Sequence, residues 1–169
     1  ENAARINENG ISLEGVSGTW QGKPKTTANI QDIGKADLIL ICVKSFHTKQ
    51  AVEQIKPLLG QNTKILTLQN GMGNIEVIAE LTGEDRVIGG ITSEGATLID
   101  TGKIRHAGRG ETIIGMIDGK TPVEMRGIRE VFNKVGFETK MSRDIKSLIW
   151  SKLIINAGIN ALTAITGLP

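Results

Sequence analysis

A chain of 169 residues with 20 Lys+Arg against 18 Asp+Glu is nearly charge-balanced at +2, which argues against a polyanion-binding tail or an acidic solvating segment. The basic residues are scattered, Tyr is absent and only three Phe occur, so the stacking platforms of a nucleic-acid binder are lacking. Cys42 is the sole cysteine, which rules out an intrachain disulfide framework; with no signal-peptide pattern and no apolar run near the roughly 18 residues of a membrane span, a reduced cytoplasmic setting is expected.

The run D-L-I-L-I-C-V (37–43) predicts a strand buried on both faces of a parallel sheet, with Cys42 an inert buried thiol and Lys44 directly after it. Ala51, Val52, Ile55 and Leu59 mark one face of a helix that closes near Pro57 and Gly60. K-I-L-T-L (64–68) is a second strand running into Gln69-Asn70-Gly71, a helix follows over about 73–81, and R-V-I-G-G (86–90) begins a third strand. Strand, helix, strand, helix, strand at this spacing predicts a doubly wound α/β sheet.

From Thr92 to Met116 the pattern changes. E-G-A-T-L-I-D, K-I-R-H-A and E-T-I-I-G-M, parted by Thr101-Gly102 and Gly108-Arg109-Gly110, predict an antiparallel meander on the edge of the parallel sheet. Thr121-Pro122-Val123-Glu124 predicts a helix start by capping box and first-turn proline. Ile128, Val131, Phe132 and Val135 form that helix's buried face, and Gly136 ends it. F-E-T-K-M (137–141) is a last strand. Ser142 then caps a long helix with Asp144 in its first turn.

That last helix carries Lys152, Asn156 and Asn160 spaced four apart, which places them within an arc of roughly 80° at 3.6 residues per turn. Leu148, Ile149, Trp150, Leu153, Ile154, Ile155, Ile159 and Leu162 surround them, so the helix is expected inside a protein. An ammonium and two carboxamides there must find partners or lose several kcal/mol. A polar ligand would supply those partners; equally, Lys152 snorkels to solvent and the asparagines bond to backbone.

Ligands of open α/β sheets bind beyond the carboxyl ends of the strands, and Lys44 and Asn70 occupy two such ends. Asn70-Gly71-Met72-Gly73-Asn74 leads into a helix whose free N–H groups favour an anionic or electron-rich group, although an Asn-Gly turn is also a common connector. No complete G-x-G-x-x-G occurs. His47 and His106 are isolated without metal-ligand spacing, so no metal is expected, and no G-x-S-x-G or Cys–His pairing points to hydrolysis.

Taken together, I-C-V-K-S, L-Q-N-G-M-G-N, G-G-I-T-S-E-G-A and W-S-K-L-I-I-N-A-G-I-N-A-L-T-A-I resemble, in order and spacing, the ketopantoate reductase (2-dehydropantoate 2-reductase) family over nearly the whole chain. The resemblance implies a Rossmann-type, NADPH-binding domain over 1–141 and the first long helix of an all-helical substrate domain over 142–169. It implies Lys152 as catalytic acid, Asn156 and Asn160 as substrate contacts, Asn70 touching cofactor and substrate, and Lys44, Ala96 and His47 at the cofactor. The implied reaction is NADPH-dependent reduction of 2-dehydropantoate to (R)-pantoate in pantothenate and coenzyme A biosynthesis. The implied partner is a small 2-keto acid, with no nucleic acid or membrane, and a homodimer is compatible with it. Family members open with a strand and a G-x-G-x-x-G turn and continue into the helical domain, so the chain reads as a fragment. A related 2-keto acid or opine-type reductase and a non-catalytic nucleotide-binding module are the competing expectations.

Overall fold

The computed structural model describes residues 2–167. Helix α1 (Asn2–Asn9) leads into strands β1 (Ile11–Gly15) and β2 (Trp20–Gly22). An alternating unit follows: β3 (Ala36–Ile41), α2 (Thr48–Ile55), β4 (Leu59–Thr67), α3 (Asn74–Thr82) and β5 (Val87–Thr92). The chain continues through β6 (Gly95–Asp100), β7 (Lys103–Gly108), β8 (Thr112–Met116), α4 (Val123–Lys134), β9 (Thr139–Met141) and α5 (Ile145–Thr166).

The larger sheet has the order β3-β4-β5-β8-β9. β3, β4 and β5 run parallel, β8 pairs antiparallel with β5, and β9 is parallel to β8. Because side chains alternate along a strand, neighbours such as Ile65 and Leu66 enter different cores. Ile41, Ile65 and Val87 meet Val52 and Ile55 of α2, Ile75 and Ile78 of α3, and Ile145 and Ile149 of α5. Leu66, Ile88, Ile114 and Met116 meet Met125, Ile128 and Phe132 of α4 on the opposite face. Each such buried side chain contributes about 1.5–3 kcal/mol, and together they produce the doubly wound arrangement that the periodicity predicts.

The antiparallel segment is divided between two sheets rather than forming one edge meander. Only β8 joins the larger sheet; β6 and β7 form a hairpin in a second sheet of order β2-β1-β7-β6. β1 pairs antiparallel with β2 and parallel with β7. Short connections favour hairpins but do not choose the edge on which a hairpin docks, and β1, remote in sequence, offers the competing edge.

Burial of D-L-I-L-I-C-V on both faces is not observed. Ile39 and Ile41 pack on one face and Leu38 on the other, whereas Leu40 is 46% exposed and Cys42 is exposed. β3 is the outer strand of the sheet among the described residues, and the α4-side core covers it only as far as Leu38.

Both predicted caps move along the chain. Pro122 stays extended (φ −63°, ψ 163°), so α4 starts at Val123 and the Thr121–Glu124 capping box does not form. Asp144, not Ser142, caps α5, its carboxylate accepting from the Ser147 N–H at 3.2 Å, while Ser142 Oγ accepts from the Asp144 N–H at 3.0 Å.

Close approach of α5 to the sheet depends on two glycines. A Cβ on Gly89 would stand 3.1 Å from Ile75 Cγ2 and 3.4 Å from Ile149 Cδ1; one on Gly115 would stand 2.5 Å from the Ser142 carbonyl oxygen. Burial of α5 is confined to Ile145 and Ile149, and Ile154, Ile155, Ile159, Leu162 and Ile165 are exposed. Enclosure of this helix on most sides therefore holds for its first two turns only, where it packs on β5 and β8. At 22 residues it is long and apolar enough to cross a bilayer. Its first two turns dock on the sheet, and Lys152, Asn156 and Asn160 run in a line along it.

Candidate active site

The three parallel strands end nearly level, Ile41 being in register with Thr67 and Thr67 with Gly89. Lys44 after β3 and Asn70 after β4 consequently meet at one edge, where with Cys42 and Gln69 they wall a crevice of about 410 Å³. Neither the Lys44 ammonium nor the Asn70 carboxamide is engaged by another described residue. The crevice walls remove enough water from the Cys42 thiol to push its pKa up, although the residue as a whole is exposed. His47 stands on the short helical turn after Lys44, its ring tilted at 59° to that of Phe46 with centroids 4.4 Å apart, and does not line the crevice.

A polar network that the sequence did not single out holds this edge together. Gln69 Nε2 donates to the Val43 carbonyl and, at 2.9 Å, to Thr48 Oγ1, while its Oε1 accepts from Thr67 Oγ1 at 2.9 Å. Thr48, only 2% exposed, donates onward to Asn74 Oδ1 at 3.0 Å, and Asn74 Nδ2 donates to the Asn70 carbonyl at 3.2 Å. The ends of β3 and β4 are thereby tied to the starts of α2 and α3. Gly71 (φ 90°) and Gly73 (φ 88°) give the left-handed turn that brings Asn70 and Asn74 within reach. Two of these residues, Gln69 and Asn74, lay in the L-Q-N-G-M-G-N motif, which was the available signal.

Lys152 sits two turns into α5, above the end of β5. Its ammonium donates to the Thr92 carbonyl at 2.6 Å, and its half-buried position lowers its pKa below the ordinary lysine value. It therefore does not snorkel into bulk water. Asn156, half-buried, and Asn160, exposed, continue along the same line of the helix. Their carboxamides make no backbone hydrogen bond among the described residues, so the plain reading of local satisfaction does not apply to them.

Ala96 lies opposite His106 in the β6–β7 hairpin and lines a second cavity of about 490 Å³ with Leu13, Ile104 and Phe137. His106, isolated in sequence, is paired in space: Nε2 lies 2.6 Å from Glu94 Oε2 and Nδ1 lies 2.8 Å from Ser17 Oγ. Among the described residues no group of three His, Cys, Asp or Glu is placed to hold a metal ion.

Residues 1–119 match the family model described as ketopantoate reductase PanE/ApbA. The chain belongs to the ketopantoate reductase family. It is similar to the 2-dehydropantoate 2-reductases of Pyrococcus horikoshii (38% identical, covering 95% of this chain and 52% of the relative) and Halobacterium salinarum (34% identical, 98% and 54%). The crystal structure of 2-dehydropantoate 2-reductase from Geobacter metallireducens superposes with a TM-score of 0.92 at 30% identity, covering 99% of this chain and 56% of that one. The chain spans about half the length of the ketopantoate reductases it matches. A D-mandelate dehydrogenase solved with NADH shares the fold at TM-score 0.83 and 20% identity.

Proposed function

We propose that this chain carries the cofactor-facing part of an NADPH-dependent 2-dehydropantoate 2-reductase, which forms (R)-pantoate. The observation that carries the reading is the Lys152 ammonium held on the Thr92 carbonyl at the end of β5, on the edge that also bears Lys44 and Asn70. Residues 1–141 act as the nucleotide-binding domain and α5 opens the substrate domain.

The donor set of the crevice fits the proposed cofactor. An unengaged ammonium and an unengaged carboxamide, Lys44 and Asn70, suit an anionic ligand that also bears amide and hydroxyl groups. Lys44 and Asn70 would hold NADPH at the crevice, and Ala96, which lines the second cavity, and His47, on the turn after Lys44, are the further contacts of this proposal. The chain contains no G-x-G-x-x-G turn for the pyrophosphate. When bound, NADPH supplies the hydride.

Lys152 then has a defined task. As negative charge grows on the ketone oxygen, an ammonium aimed at it stabilises the transition state more than the ground state and afterwards yields its proton. Partial burial lowers the pKa of Lys152, which makes that proton easier to give. Asn156 and Asn160, farther along the helix, orient the carboxylate and hydroxyl of the substrate. A small 2-keto acid is the partner, in a cytoplasmic setting without nucleic acid or membrane.

The test is a panel of 2-keto acids offered with NADPH and with NADH to a full-length reductase carrying this sequence. Preferential turnover of 2-dehydropantoate with NADPH is expected. Faster turnover of another keto acid, or none of any, overturns the reading.

A further inference from the structure

The segment between β5 and β6 leaves one sheet and enters the other, and it is pinned at both ends. On the side of the larger sheet, Thr92 Oγ1 lies 2.8 Å from Thr112 Oγ1 and accepts from the Glu94 N–H at 3.2 Å, while the Ser93 N–H donates to the Glu111 carbonyl at 3.0 Å. On the side of the second sheet, the Glu94 carboxylate meets His106 Nε2 at 2.6 Å, with side chains only 13% and 16% exposed. Both atoms near Nε2, Glu94 Oε2 and the Gly108 carbonyl at 3.0 Å, are acceptors. Nε2 must therefore carry a proton, and in the neutral ring the Ser17 hydroxyl donates to Nδ1.

We propose that Glu94 and His106 are positioning residues for the reduction: they lock the junction that carries both the Thr92 carbonyl, on which Lys152 rests, and Ala96. This inference rests on the reductase reading above. The junction spans five residues from Thr92 to Ala96; the β6–β7 ladder takes hold of it at Gly95, and the Glu94–His106 pair is the side-chain tie that precedes the ladder. Without the Glu94–His106 bond, Thr92 keeps its pairing with Thr112 and Gly95 its pairing with Gly108, but the link between them loses its side-chain tie to the second sheet. Movement of this link displaces the Thr92 carbonyl beside it and with it the Lys152 ammonium, and a shift of about 1 Å at a reacting group costs up to about a hundredfold in rate. Ser17, from the loop between β1 and β2, orients the ring from its other side and is a third, weaker member of the array.

The experiment uses a full-length reductase carrying this sequence and compares Glu94→Ala, Glu94→Asp and Glu94→Gln for kcat, KM and Tm. Glu94→Asp keeps the charge but withdraws the carboxylate by one methylene, and it decides the matter should Glu94→Ala fail to fold. Glu94→Gln retains an acceptor for the Nε2 proton. The Ala and Asp variants are expected to lose about tenfold or more in kcat with KM for the keto acid within about twofold, and the Gln variant to recover most of that loss. Unchanged kcat in a folded Asp variant, a loss confined to KM, or no recovery by Gln overturns the positioning role. Absence of keto acid reduction by the parent enzyme overturns the reductase reading instead, so the two failures are distinguishable.

Discussion

The ammonium of Lys152 and the carbonyl of Thr92, separated by sixty residues, share a 2.6 Å hydrogen bond. Thr92 is the last residue of β5 and Lys152 lies two turns into α5, so this contact joins the helix to the carboxyl edge of the sheet. It holds a cation at the carboxyl edge of the same sheet at which Lys44 and Asn70 wall a crevice, and it leaves the ammonium two further donor protons for a ligand.

Lys152→Ala removes the cation that the proposed mechanism aims at the ketone oxygen. In a full-length reductase carrying this sequence, kcat is expected to fall by about a hundredfold or more, with NADPH affinity nearly unchanged. Steady-state kinetics together with an NADPH fluorescence titration measure both. A fall of less than about fivefold removes Lys152 from the catalytic role.

The pH dependence follows from the same residue. Burial lowers the pKa of Lys152, so the ammonium is present below that folded-state pKa and is lost as pH rises through it. The alkaline limb of the kcat profile is expected below the ordinary lysine range, and Lys152→Arg should abolish that limb. Stability moves in the opposite sense: between the folded and unfolded pKa values the unfolded chain binds more protons, so this group favours folding more as pH rises across that window. A limb that persists unchanged in the Arg variant assigns it to another group.

Thr48→Val tests the network behind the crevice. The substitution keeps shape but leaves Asn74 Oδ1 and one Gln69 Nε2 proton without their partner. An unsatisfied buried polar group costs about 1–3 kcal/mol, which urea unfolding of the full-length protein should register. A midpoint equal to that of the parent shows that the network reorganises without loss.

Gly115→Ala tests how α5 is seated. The new methyl would stand 2.5 Å from the Ser142 carbonyl oxygen, a backbone atom just ahead of α5 that cannot swing aside like a side chain. Overpacking of this kind costs about 1–3 kcal/mol. Displacement of α5 also moves Lys152, so kcat should fall along with the unfolding midpoint; a fall in stability with kcat preserved separates the docking of α5 from catalysis.

The doubly wound core, the order of its strands and helices and the line Lys152, Asn156 and Asn160 were all legible in the chain, because period and turn chemistry are local properties. Tertiary structure alone decided the rest. The β6–β7 hairpin docks on β1 instead of extending the larger sheet, since short connections specify hairpins without specifying the neighbouring edge. Leu40 and Cys42 are exposed because an apolar run records what a strand can bury, not what covers it. His106 looked isolated until folding brought Glu94 and Ser17 to its two nitrogens, from twelve and eighty-nine residues away. Hydrophobic pattern is written in consecutive residues, whereas a hydrogen-bond partner is chosen by three-dimensional proximity that no spacing rule encodes.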